Sequence, residues 1–177
     1  SLGALLQRRV FGPLGMHDTG FAVPAAQQHR LAEAFERDPQ TGISMPLIDV
    51  TAPPVFESAG GGLVSTASDY ARFLQLMLGR GTAPGRDGPN GIDAPVRLLG
   101  RATVDFMTAD HLGTAINTTT NPGQLLLGTN GYTFGLGFLV RSQDGIAPVH
   151  GSAGEFMWAG FAGTFFWAEP KEKLCAV

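Results

Sequence analysis

The chain has 177 residues, 44% hydrophobic and 15% charged, below the roughly 25% charged of an average soluble domain and enough to bury a core without metals or disulfides. Its 25 glycines and 12 prolines stay under the roughly 25–30% share that marks aperiodic low-complexity sequence, which excludes disorder and predicts many loops. A net charge of −3, with the basic residues scattered apart from Arg8-Arg9, excludes a nucleic-acid footprint, and one cysteine, Cys175, excludes a disulfide-stapled fold.

The first predicted element is a helix, from Leu2, Leu5, Leu6 and Val10 at helical spacing, which Gly12-Pro13 should stop. Gly12 to Pro54 then reads as a turn-rich wrapping region. Within it Ala32 to Phe35 fits a short strand or a helical turn, and Asp38-Pro-Gln-Thr-Gly42 has hairpin-turn chemistry. Met16 and Phe21 are expected to pack, and Asp18 to cap local amides. Ala59 to Gly62 reads as a close-packed turn rather than an anion cradle, because no lysine follows it.

Next comes the clearest local signal. Thr66 can cap a helix, Asp69 sits at its third position near the positive end of the dipole, and Tyr70, Phe73, Leu74, Met77 and Leu78 form one apolar stripe that reads as core. Gly79 and Gly81 should end it. Gly81 to Pro95 reads as a polar surface excursion and Leu98 to Met107 as a second helix.

The pattern then changes to strands. Tyr132 to Val140, Ala162 to Ala168 and Leu174 to Val177 are aromatic and β-branched, with turn chemistry at Ser142-Gln-Asp-Gly145 and Glu169-Pro-Lys-Glu172, which predicts an antiparallel meander. The chain opens on Ser1 with a helix already under way and stops at Val177 while reading as strand, so it is expected to be part of a larger protein. No apolar run approaches the roughly 18 residues of a membrane span, and no signal peptide is visible, which leaves localisation open.

Four segments in this order, Gly12-Pro-Leu-Gly-Met-His-Asp-Thr-Gly-Phe21, Gly60-Gly-Gly-Leu-Val-Ser-Thr-Ala-Ser-Asp-Tyr-Ala-Arg-Phe-Leu74, Tyr132-Thr-Phe-Gly-Leu-Gly-Phe138 and Gly163-Thr-Phe-Phe-Trp-Ala-Glu-Pro170, resemble the class C β-lactamase-related serine hydrolases. That superfamily includes penicillin-recognising carboxypeptidases and β-lactamase-like carboxylesterases. The resemblance implies an α+β, β-lactamase/transpeptidase-like fold: an antiparallel sheet flanked by helices, beside part of a mainly helical lobe. It implies that residues 1–177 are the C-terminal part of one catalytic domain, with 1–130 rich in helix and loop and 131–177 forming the strands.

The family's chemistry needs Ser-x-x-Lys, where a lysine one helical turn away activates the serine for acyl transfer. No serine of this chain has a lysine three residues on, and neither Tyr70-Ala-Arg72 nor Tyr132-Thr-Phe134 matches the family's tyrosine motif. No catalytic residue is therefore assigned here. The family's third motif is Lys-Thr-Gly, His-Thr-Gly or Trp-Gly-Gly on an inner strand. By resemblance Trp158-Ala159-Gly160 takes that position, with Ala159 in place of a glycine, and the Phe161 amide would be one oxyanion donor. The alternative is that Trp158 and Phe161 merely pack the strand.

His150-Gly-Ser-Ala-Gly154 competes for the same role, with His150 replacing the lysine as proton carrier. It is not a nucleophile elbow, which wants glycine at the place of His150 and a histidine after the serine, so Ser152 reads as a turn residue. His17, His29 and His111 are isolated, with no spacing suited to a metal, and no cofactor is implied.

The expected partner is a small-molecule ester or β-lactam-like substrate, together with the missing N-terminal portion of the same domain. Tryptophan in place of lysine removes the cation that would pair with a substrate carboxylate, which ranks neutral esters above β-lactams. The alternatives are a non-catalytic truncated relative, or a parent that is a β-lactamase or D-alanyl carboxypeptidase.

Overall fold

A computed structural model describes residues 1–32, 35, 37–44, 48–85, 94–113, 130–145, 147, 149–160 and 162–177. The first helix does not stop at Gly12-Pro13. Helix α1 (Leu2–Leu6) runs into a π-turn (Gln7–Phe11) and on through α2 (Gly12–Leu14) before Gly15 closes it in the left-handed conformation, φ 67°. The wider turn explains this: the Gly12 amide donates to the Gln7 carbonyl five residues back, which makes room for a proline ring that would clash in an α-helical turn.

The segment after α2 is anchored rather than merely wrapped. Met16 and Phe21 are buried as expected, and Gly20 pairs with Val64, which lays the first motif beside the second. Asp18 does not cap local amides. Its carboxylate accepts from Gln27 Nε2 at 3.2 Å and Arg30 Nη2 at 2.8 Å, side chains of a 3-10 turn at Ala25–Arg30. At Asp38–Gly42 the expected turn is present: the Asp38 carboxylate accepts from the Gln40 and Thr41 amides, and Gly42 has φ 70°. Of the element expected at Ala32 to Phe35, residues 33 and 34 lie outside the described residues.

Helix α3 (Ala67–Leu78) forms where the cap and stripe predict it. Thr66 accepts from the Asp69 amide at 3.2 Å, and Leu74 and Met77 are buried with Tyr70, Phe73 and Leu78 packed around them. Gly79 ends it for a steric reason, since a Cβ there would lie 1.9 Å from the Thr82 carbonyl oxygen. Part of the supposed surface excursion is ordered: β1 (Thr82–Ala83) pairs antiparallel with β2 (Val96–Arg97), while residues 86–93 lie outside the described residues. The second helix, α4 (Arg101–Met107), starts after its cap at Gly100, three residues later than the apolar pattern suggests.

The remaining strands make one antiparallel meander, β3 (Tyr132–Phe134), β4 (Leu139–Arg141), β5 (Phe156–Ala159), β6 (Phe165–Glu169) and β7 (Leu174–Ala176), in that spatial order. The meander was expected; its strand inventory differs. The aromatic run 132–140 is two strands, because Gly135 to Phe138 form the hairpin between them, with the Gly135 amide bonded to the Phe138 carbonyl. Strand β5 is the inner strand that the resemblance implies at Trp158, though the apolar pattern does not single it out, and β6 starts three residues later than Ala162 because Gly163, at φ 78°, belongs to the preceding turn.

One face of this sheet carries Val140, Phe156, Phe166 and Ala168 into a core shared with α3 and Val104 of α4. The other carries Tyr132, Leu139 and Met157, joined by Ala147. This α+β arrangement of an antiparallel sheet covered by helices is the one the resemblance implies. Among the described residues no helix is long and apolar enough to cross a membrane.

Candidate functional site

Strand β5 lies between β4 and β6 in the sheet; β4 pairs with Phe156 and Met157, and the exit of β5 at Trp158 and Ala159 is held, among the described residues, by β6 alone. Trp158 pairs with Phe166 and Ala159 with Phe165. The Trp158 ring is half-buried, packing against both sheet clusters and lying edge-on to Phe134 with centroids 5.3 Å apart. Ala159 and Gly160 are exposed at the strand's end. The Gly160 amide is occupied, donating to the Thr164 carbonyl at 2.7 Å, and a Cβ at this position would lie 2.1 Å from Thr164 Oγ1. The glycine is thus required by the turn, and its N–H is not free to hold an oxyanion. Phe161, whose amide was expected to do so, lies outside the described residues.

At the other end of β5 the segment 149–155 is fixed by charged side chains that sequence reasoning missed. Arg141 and Glu155 are each about 1% exposed, with Arg141 Nε 2.8 Å from Glu155 Oε1. Tyr132 completes the cluster: its hydroxyl donates to Glu155 Oε1 at 2.6 Å and accepts from Arg141 Nη2 at 3.1 Å. Burial, together with the bond to Glu155, pushes the Tyr132 phenol up to about 12, so it stays a neutral donor. Arg141 also donates to the Val149 and His150 carbonyls at 3.2 and 3.3 Å.

Two further carboxylates grip the same segment. Buried Glu169 of β6 accepts from the Ser152 amide at 2.8 Å, and Asp144 accepts from the Ala153 amide at 2.6 Å. The His150 side chain is exposed, on a backbone whose carbonyl is held by Arg141. Ser152 behaves as a turn residue, its carbonyl accepting from the Glu155 amide. Trp158 and His150 thus stand at opposite ends of one strand and its leading loop. The signal that could have found the cluster is the placement of Arg141, Glu155 and Glu169 at the ends of apolar strands, where a solvated charge is not expected to be buried.

The isolated histidines stay local. His17 and His29 are exposed, while His111 Nε2 lies 2.6 Å from the Phe106 carbonyl with its ring against Phe106. Among the described residues no three His, Cys, Asp or Glu side chains are grouped to hold a metal. A cavity of about 260 Å³ lies among α1, Thr19–Ala22 and Pro53–Glu57, and none of the residues discussed above as site candidates lines it.

Comparison with known proteins agrees with this architecture. The chain is 36% identical over 180 residues to protein Rv1367c of Mycobacterium tuberculosis H37Rv, covering 96% of this chain and 41% of that protein. A protein of strain CDC 1551 of the same species, MT1414, matches equally. The chain therefore spans under half the length of these relatives. Among solved structures, a variant of simvastatin synthase LovD from Aspergillus terreus superposes with a TM-score of 0.72 at 23% identity, covering 99% of this chain and 43% of that one. EstCE1, a hydrolase with promiscuous acyltransferase activity, gives 0.65 at 22% identity, covering 98% and 44%. These last two share the fold. The Beta-lactamase family model matches residues 1–177, so the chain belongs to the β-lactamase family.

Proposed function

We propose that the complete protein is a serine hydrolase acting on carboxylic esters through an acyl-enzyme, and that residues 1–177 are the C-terminal part of its catalytic domain. A serine outside these residues, activated by a lysine three positions on, attacks the ester carbonyl carbon. The alcohol leaves with a proton, and water then releases the acid from the acyl-enzyme, or a second alcohol accepts the acyl group. The observation that carries the reading is Trp158, half-buried at the exit of the middle strand with exposed Ala159 and Gly160 beyond it. In this reading Trp158 walls the acyl site, and the Phe161 amide is one oxyanion donor.

An uncharged tryptophan where β-lactamases carry lysine favours neutral esters over anionic β-lactams or peptide C-termini. The names of the two structural neighbours, a synthase and a hydrolase with acyltransferase activity, support acyl transfer as the reaction class. The test is turnover by the complete protein. A short-chain aryl ester is expected to be cleaved and a cephalosporin left largely intact; the opposite ranking would overturn the ester reading in favour of a β-lactamase or D-alanyl carboxypeptidase.

Residues 1–177 expressed alone are expected to be inactive, since the sequence holds no Ser-x-x-Lys. They are also expected to aggregate, because Phe35, Val55 and Phe56 are about 80%, 109% and 79% exposed. Ester hydrolysis by this segment above the buffer rate would contradict the first expectation, and a stable monomer the second.

A further inference from the structure

Strand direction decides which end of the sheet a side chain reaches. Strands β3 and β5 both pair antiparallel with β4, so they run the same way, and the last residue of β3 lies at the end where β5 exits. Register makes the placement specific. Phe134 pairs with Leu139, and Leu139 with Met157, which sets Phe134 two strands across from the residue just before Trp158.

The ladder between β4 and β5 stops at that row. Beyond it, among the described residues, β4 has no residue opposite Trp158 or Ala159, and the ring that meets Trp158 from that side is Phe134, edge-on with centroids 5.3 Å apart. On the other side β6 sets the buried Phe166 opposite Trp158. Trp158 and Phe134 are both half-buried, so each keeps part of its surface open at the strand exit.

The end of α4 holds the backbone under Phe134. The Phe134 carbonyl accepts from the His111 amide at 3.1 Å, and the Leu136 amide donates to the Met107 carbonyl at 2.8 Å. A Cβ on Gly135 would lie 2.3 Å from that same Met107 oxygen, so only glycine lets the hairpin rest on the helix end. With the backbone fixed, only two side-chain torsions remain to the ring, and the edge-on contact with Trp158 restrains both.

We propose that Phe134 is a specificity-determining residue: its ring and that of Trp158 form the apolar wall of the acyl site, and Phe134 limits the length of acyl chain that can lie against Trp158. This rests on the acyl-transfer reading above. Neither ring carries a charge, so the wall selects by size and contact alone, and the ester class it fits is one with a short unbranched acyl chain.

The experiment compares kcat/KM of the complete protein for acetyl, hexanoyl and decanoyl aryl esters. Phe134→Ala is expected to raise the decanoyl-to-acetyl ratio by about 10-fold or more, the lower end of what apolar pockets achieve by size. Phe134→Tyr keeps the ring and should keep the ratio of the unaltered protein. Leu76→Ala serves as the control for lost stability, because buried Leu76 packs with Phe11, Leu14 and Met16 in a cluster apart from Trp158. It should lower the urea midpoint and leave the ratio where it was.

An unchanged ratio in Phe134→Ala, or the same change in Leu76→Ala, would overturn the proposal and reduce the Phe134 ring to packing. If Phe134→Ala does not fold, Phe134→Leu carries the same comparison with a smaller expected change. No turnover of any of the three esters by the unaltered protein would instead fail the acyl-transfer reading, and the proposal with it.

Discussion

At the start of α3, Asp69 takes its hydrogen bonds from neutral donors, the Asp18 amide and the Thr19 hydroxyl, both at 2.8 Å. Under the sheet, Glu155 accepts its hydrogen bond from the Tyr132 phenol and is ion-paired with the Arg141 guanidinium. Both carboxylates are buried, and both join segments distant in sequence. The difference lies in what is left behind when one partner goes. Removing Asp69 strands groups that carry no charge, whereas removing Glu155 strands a buried cation, and the second should be the larger loss of stability.

The largest expected effect follows directly. Arg141→Met or Glu155→Gln alone should destabilise the complete protein by about 3–5 kcal/mol, because each leaves an uncompensated buried charge or its unpaired partner. Replacing both together, Arg141→Met with Glu155→Leu, should lose less than the two single losses summed. Urea unfolding of the four proteins checks this; strict additivity would mean that the two side chains do not act as a pair.

Asp69→Ala is expected to lose about 1–3 kcal/mol, the range for leaving a buried donor unsatisfied. Asp69→Asn, which keeps one acceptor oxygen, should lose less. A loss at position 69 as large as that at position 155 would erase the distinction between the two clusters. Next in size is Thr66→Ala, which removes the helix cap beside Asp69 and should cost about 1 kcal/mol, read as a lowered urea midpoint.

Smaller still is the exposed ion pair of Arg80 with Asp105, whose side chains are 55% and 51% exposed. Arg80→Ala should change stability by less than about 1 kcal/mol, and the change should shrink as salt is added. A clear salt-independent loss would show that this pair is more than a surface contact.

Acid separates the regions in a different way. Hydrogen bonding to Arg30 is the main cause holding the Asp18 carboxyl below its ordinary 3.8, and the Thr41 and Gln40 amides do the same for Asp38. Such groups stabilise the fold fully above their unfolded values and lose that contribution as pH falls through the lower folded ones. Limited proteolysis with an acid-active protease should therefore find the 18–57 region opening as pH drops below 3.8, the value from which both Asp18 and Asp38 are shifted down. Protection unchanged down to the pH of global unfolding would contradict the assignment.

The two regions also differed in how far they could be read beforehand. Helix α3 was legible because its signals are local: cap, acidic third position and stripe all fall between Thr66 and Leu78. The end of the first helix was not legible, because Gly12-Pro13, which ordinarily stops a helix, follows a π-turn that no apolar periodicity announces. Strand β5 follows from the resemblance, which puts Trp158 on an inner strand, and not from the apolar pattern, because four residues between glycine-rich turns are too short to show an alternation.

The site divides in the same manner. Trp158, Ala159 and Gly160 are proposed from the resemblance of the segments around them. The cluster of Arg141, Glu155 and Tyr132 was not legible, since Tyr132 and Glu155 are 23 residues apart and come together only through the register of β3, β4 and β5. Strand register, unlike a helix cap, is decided by the whole sheet.

We propose that Trp158, Ala159 and Gly160 line the acyl site of an enzyme whose nucleophile lies elsewhere in the protein. Treating the complete protein with a serine-directed fluorophosphonate and locating the label by peptide mass spectrometry tests it most directly. The expected result is one stoichiometric label on a serine outside residues 1–177 that is followed three positions later by lysine, together with loss of ester turnover. Stoichiometric labelling of Ser152, or of any other serine within residues 1–177, would contradict it.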